Sequence, residues 1–168
     1  MRPEIDSIPE FYRGYVRRVE EDDLLAALTE SGRRTLELLA SIPADKAGFR
    51  YEPGKWSIQE VLCHLMDSER IFSCRALRFA RNDRTPLPGF EQDAYAPNAN
   101  AGARSLANLA GELRRLRATT TDLFASFTPE MMIRRGEANR YEISVLGLGF
   151  VIAGHEQHHL QVLRERYV

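Results

Sequence analysis

The chain has 168 residues, 23 of them Lys or Arg and 24 Asp or Glu, for a formal net charge of −1. That length suits one domain, residues 1–168, with a core large enough to fold without disulfide or metal staples. The charge balance excludes the basic footprint of a general nucleic-acid binder and the polybasic signal of a membrane-surface protein, so neither nucleic acid nor membrane is an expected partner.

Residues 1–20 form an N-terminal extension expected to pack on the rest of the domain, and Met1-Arg2-Pro3-Glu4-Ile5-Asp6 has no apolar stretch of the signal-peptide kind. The first helical pattern runs from about 22 to 42, with Leu24, Leu25, Leu28, Thr35, Leu38, Leu39 and Ile42 at helical spacing, and Pro43 ends it. A second runs from Ser57 to about Arg81 and opens with Ser57-Ile58-Gln59-Glu60, a capping box in which hydroxyl and carboxylate each satisfy an orphan backbone donor. The 22 residues from Asn82 to Ala103 carry three prolines and two glycines. A connection that long inside one domain crosses over or serves a function, and it would leave the second and third helices parallel. The third pattern spans about 104–127, with Leu106, Leu109, Leu113, Leu116, Thr120, Leu123 and Phe127 alternating three and four apart as in a bundle seam.

The fourth pattern starts near Ser144 and runs to the end of the chain. Its apolar run, 145–154, is too short to span a bilayer and reads as a buried helix segment. Phe49-Arg50-Tyr51 and Tyr141-Glu142-Ile143 are at most short extended pieces, so the fold is all-α: a four-helix bundle, up-down-down-up, with a long crossover between helices two and three. Cys63 and Cys74 lie eleven residues apart on one helix, about 16 Å along its axis, too far for a disulfide. The absence of a spaced cysteine set points to a reduced, cytoplasmic setting.

Three of the four histidines fall in His155-Glu156-Gln157-His158-His159. His155 and His159 are one turn apart, so both rings can reach one point, and neutral imidazoles paired this way are how bundles build metal sites. A solvated helix end carrying a chance cluster is the plainer alternative. At about 100° per residue, both fall on the stripe of Leu148, Ile152 and Leu163 that faces the interior, whereas His158 falls on the polar boundary. His64, on the shoulder of the second helix's apolar face, is the obvious third ligand. Three histidines with an open position resemble a catalytic or substrate-binding site rather than a closed structural one. The segment also matches the zinc-protease pattern H-E-x-x-H, but Val162 and Glu165 stand where the extended motif needs Gly and His.

Pro53-Gly54-Lys55-Trp56-Ser57-Ile58-Gln59-Glu60-Val61-Leu62-Cys63-His64-Leu65-Met66-Asp67-Ser68-Glu69-Arg70 and Ala153-Gly154-His155-Glu156-Gln157-His158-His159-Leu160 together resemble the DinB-like (YfiT-like) superfamily of metal-binding four-helix bundles. The first stretch looks like its Trp-Ser-x-x-Glu-Val-x-x-His-x-x-Asp pattern, the second like its terminal His-x-x-x-His helix. The resemblance implies parallel second and third helices and a divalent metal (Ni, Zn or similar) held by His64, His155 and His159. It also implies a transferase that activates a low-molecular-weight thiol, such as bacillithiol, mycothiol or glutathione, for attack on an electrophile.

A cation on three neutral ligands stabilises a thiolate or a hydroxide equally well. A hydrolase and a non-catalytic metal-binding protein are therefore the alternatives to the thiol transferase. Glu156 is the candidate for moving protons or orienting a ligand ring, and Glu69 shares its interior position, though either carboxylate could simply pair with an arginine. Trp56 is expected to pack on the bundle end, Cys63 to point away from His64, and Gly147, Gly149 and Ala153 to permit close helix approach. The expected partner is a small-molecule substrate. A homodimer is expected too, the apolar half of the fourth helix serving either the core or that interface.

Overall fold

Each long helix begins where a side chain can take an otherwise unpaired backbone N–H. The computed structural model describes residues 1–168. A short helix, α1 (Glu10–Val16), comes first. Asp23 caps α2 (Leu24–Ser41), accepting from the Ala26 N–H at 3.1 Å. Ser57 caps α3 (Ile58–Ala80) with the full reciprocal box: its hydroxyl accepts from the Glu60 N–H at 3.2 Å, and the Glu60 carboxylate accepts from the Ser57 N–H at 2.6 Å. The crossover holds α4 (Gln92–Tyr95). Ser105 caps α5 (Leu106–Ala125), and Thr128 caps α6 (Pro129–Ile133). Strands β1 (Arg135–Ala138) and β2 (Tyr141–Ser144) lead into α7 (Val145–Arg166), capped by Ser144. The four long helices start and stop within two residues of where periodicity and caps place them.

Cross-helix contacts give the direction of each helix. Gln59 donates to the Arg104 carbonyl, Arg70 pairs with Glu112 and Ser73 meets Thr120, so α3 and α5 run parallel. The Tyr167 hydroxyl donates to the Trp56 carbonyl, and Phe72 lies against His155, so α3 and α7 run antiparallel. Leu24 approaches Gly149, while Leu39 shares a cluster with Leu163, so α2 and α7 are parallel. The bundle is up-down-down-up, and the crossover is what permits it.

The interior is divided. One apolar cluster gathers Leu28, Phe72, Phe79, Phe124 and Phe150 with Ile8, Tyr12 and Val16 of the N-terminal segment. The other gathers Leu39, Ile58, Leu62, Leu109, Leu113 and Leu163. Between them lies a buried polar layer that includes Ser31, His64, Glu69, Arg117, His155 and Glu156. Residues 145–156 are all buried inside this one chain, so the apolar half of α7 serves the core and offers no face to a second copy.

Of the two short extended pieces that the sequence allows, one forms a strand and the other does not. Residues 49–51 form no strand, since Arg50 is held instead by the Glu60 carboxylate and the Lys55 carbonyl. Residues 141–144 do form one, but with a partner, 135–138, that was not foreseen. Their turn, Asn139-Arg140, has φ of 52° and 67°, the two left-handed positions of a type I′ hairpin, and it lacks the Asn-Gly pair that advertises one. The crossover joins this hairpin through Leu87, whose N–H donates to the Glu137 carbonyl and whose carbonyl accepts from the Asn139 N–H. No helix is long and apolar enough to cross a membrane. Both cysteines are free.

Candidate metal centre

His64 comes from α3, and His155 and His159 from adjacent turns of the antiparallel α7. One nitrogen from each ring lies within 4.8 Å of the others. The Nε2 atoms of His64 and His155 approach to 3.0 Å, and the three ring centroids stand 4.6–4.9 Å apart. Zinc-like ions bind imidazole nitrogen at about 2.0–2.1 Å, which puts tetrahedral ligand atoms roughly 3.4 Å apart, so small side-chain adjustments suffice to fit such an ion.

Electrostatics agree with the donor set. Burial pushes His64 down to about 4, with Asp93 opposing that fall and His158 adding to it. Burial, reinforced by His64 and His158, pushes His159 down to about 3. Burial also holds His155 well below the ordinary range, helped by the other three histidines. All three rings are therefore neutral at pH 7, with lone pairs to give. Chemistry, spacing and protonation all fit a divalent cation.

His158 is half-buried and turns toward Tyr15, with ring centroids 5.5 Å apart, and it stands outside the ligand cluster. Cys63 is buried in the apolar cluster of Leu62 and Leu109, where burial pushes its thiol up and away from thiolate chemistry. Trp56 does more than close the bundle end, since its ring lies 4.8 Å from that of His64.

Glu156 and Glu69 are both buried, and both bind one arginine. Arg117 Nη1 donates to Glu156 Oε2 at 2.7 Å, and its Nε and Nη2 donate to the two Glu69 oxygens at 3.0 and 2.8 Å. Burial alone would favour the neutral form of Arg117, but Glu156 and Glu69 more than reverse that, so the guanidinium stays charged. Glu156 Oε1 has no partner and borders a small void shared with His155.

Two clefts flank the histidines. One, about 220 Å³, includes His155 and residues of α1 and the crossover. The other, about 370 Å³, includes His159, Trp56 and Tyr167. Asp93 of α4 borders both, and Glu156 borders neither. Sequence reasoning missed Asp93 because the four-residue helix that carries it is too short to show periodicity, and the only hint of it was the crossover's unusual length.

Three histidines converging in the polar layer of an up-down-down-up bundle define a metal-centred class of helical proteins. The chain belongs to the DinB superfamily, which it matches over residues 27–163. It is 29% identical over 133 residues to a protein of Oceanobacillus iheyensis that is provisionally named a metal-dependent hydrolase; the match covers 74% of this chain and 72% of that one. It shares its fold with YfiT from Bacillus subtilis, described as a probable metal-dependent hydrolase of unusual four-helix-bundle topology. There the TM-score is 0.75 at 18% identity, covering 98% of this chain and 90% of that one.

Proposed function

We propose that the chain is a divalent-metal enzyme that hydrolyses a small substrate at the three-histidine centre. The observation that carries this reading is the convergence of three neutral imidazoles, two buried and one partly buried, between two clefts. The name of the Oceanobacillus relative points the same way. When bound, a cation such as Zn²⁺ or Ni²⁺ supplies Lewis acidity and a water that ionises near neutral pH.

His64, His155 and His159 would hold that cation through ring nitrogens that burial keeps unprotonated. Asp93, exposed and bordering both clefts, is placed to take a proton from the nucleophile and release it to solvent. Glu156 borders neither cleft, and its bond to Arg117 suits a positioning role for the turn of α7 that carries His155. A thiol transferase would use the same three histidines, with a thiol rather than water as the source of the nucleophile.

One experiment separates these readings. The purified chain is reconstituted with Zn²⁺, Ni²⁺ or Mn²⁺, analysed for metal content, and assayed on small esters and amides with and without glutathione. One divalent ion per chain and thiol-independent turnover, abolished by His159→Ala, is the expected result. Turnover that requires the thiol moves the assignment to a transferase. Tight metal binding without either activity makes the chain a non-catalytic metal-binding protein.

A further inference from the structure

The cleft beside His155 holds a cation that the metal chemistry leaves unused. Arg75 is 4% exposed, yet it makes no ion pair. Its Nη2 donates to the Pro88 carbonyl at 2.7 Å, and its guanidinium lies 5.7 and 6.0 Å from the ring centres of Phe72 and Phe90. A carbonyl and two ring faces satisfy part of the group, but none of them carries a negative charge. Tyr12 faces it as well, and burial pushes that phenol up despite the opposing guanidinium, so it supplies no counter-charge either. A buried charge is normally paired.

A second, independent gap lies in the same cleft. Ser68 is 1% exposed and its Oγ has no hydrogen-bond partner. It sits nearly two turns before Arg75 on α3, and both border the cleft that includes His155.

From this geometry we infer that Arg75 and Ser68 form a subsite for the carboxylate of a small organic acid, held beside the three-histidine centre. The cleft's roughly 220 Å³ falls below the roughly 300–1,000 Å³ typical of drug-sized ligands, which limits the occupant to a small molecule. A single guanidinium matches a monocarboxylate, whose two oxygens fit its planar fork. Phe72 and Phe90 provide an apolar wall for the rest of such an acid. Glu91 and Asp93 stand exposed at the rim, where they disfavour more highly charged anions. The assignment builds on the hydrolase reading by naming its substrate class: a carboxylate-bearing ester or amide whose acid group anchors it while the reacting carbonyl faces the histidines.

The test titrates the full-length chain with benzoate by calorimetry, in its Zn²⁺-loaded form and again after chelation, with benzamide as the uncharged control. Saturable benzoate binding is expected in both forms, at least tenfold weaker in Arg75→Gln, several-fold weaker in Ser68→Ala, and unchanged in Arg70→Gln. Benzamide is expected not to bind measurably. Binding that disappears on chelation and ignores Arg75→Gln would put the carboxylate on the metal and overturn the subsite, as would no saturable binding in either form. Ser68→Ala removes only a hydroxyl, so it reads out the subsite even if Arg75→Gln loosens the crossover. Because binding is measured apart from turnover, an intact benzoate site without ester or amide hydrolysis would reject the hydrolase reading and keep the subsite. Hydrolysis without benzoate binding would do the reverse.

Discussion

The rings of His64, His155 and His159 converge with centroids 4.6–4.9 Å apart, and helix phase separates them from His158. His155 and His159 share a face of α7, whereas His158 is about 100° from His159 and stands outside the cluster. His64→Ala, His155→Ala and His159→Ala are each expected to weaken Zn²⁺ binding more than about 100-fold, beyond the roughly 10–100-fold loss typical of outer-shell partners. His158→Ala should leave it nearly unchanged, and competition titrations against a chromophoric chelator measure all four. The convergence of His155 and His159 was legible in the sequence, because a single apolar stripe on the last helix sets the phase. Asp93, Arg75 and Ser68 were not, since what distinguishes them is a place at both clefts for Asp93, burial without an ion pair for Arg75 and burial without a hydrogen-bond partner for Ser68, which only the packed structure reveals. Protonation gives a second check at the same scale. The unfolded chain takes up protons on these imidazoles near 6.5, whereas His64 and His159 resist until about 4 and about 3. The metal-free chain should therefore be steady above pH 6.5 and lose stability as pH falls from there toward 4. Three such groups limit the slope to about 4 kcal/mol per pH unit. Urea unfolding of the chelated protein between pH 4 and 8 measures it, and stability that rose on acidification would contradict the neutral, buried assignment.

Among the elements, caps were the most legible feature and the hairpin the least. A capping box is a local code: Ser57 and Glu60 need only each other's backbone, so it reads the same before and after folding. The hairpin depends on tertiary fit. Gly136 is required because a Cβ there would stand 2.2 Å from the Phe79 ring, and nothing near Gly136 in sequence announces that. The N-terminal helix repeats this lesson. Close approach was expected at Gly147, Gly149 and Ala153, yet the tightest point on α7 is Gly154, where a Cβ would lie 2.1 Å from the Tyr15 carbonyl oxygen. That contact seats α1 beside His155 and closes the carboxylate cleft. Gly154→Ala should therefore destabilise the chain by about 1–3 kcal/mol or more through overpacking. Gly14→Ala, with nothing within 4 Å of the added Cβ, should stabilise α1 by about 0.4–1 kcal/mol. Denaturant midpoints of the two variants, at unchanged m-values, separate a contact effect from a helix-propensity effect.

At the scale of the whole molecule, the parallel pair α3 and α5 could be anticipated because a 22-residue connection has room to return the chain along the bundle. What joins the four helices once they are in place could not. Arg117 of α5 donates to the Leu28 carbonyl and the Ser31 hydroxyl on α2, to both Glu69 oxygens on α3 and to Glu156 on α7. One guanidinium thus ties every long helix to the layer that carries the converging histidines. Two carboxylates around one guanidinium leave a net buried charge of −1 next to His155, and a divalent cation on the histidines would offset it. Removing the centre of this network leaves two buried carboxylates facing each other without a cation. Arg117→Met should accordingly destabilise the fold by about 3–5 kcal/mol, and thermal unfolding should shift down by roughly 6–20 °C. If charge rather than lost packing is responsible, adding Glu69→Gln and Glu156→Gln should recover most of that loss. Melting temperatures of the single, double and triple variants, with and without Zn²⁺, decide it. No recovery in the triple variant would mean that Arg117 acts through its hydrogen bonds to Leu28 and Ser31 rather than by neutralising the glutamates.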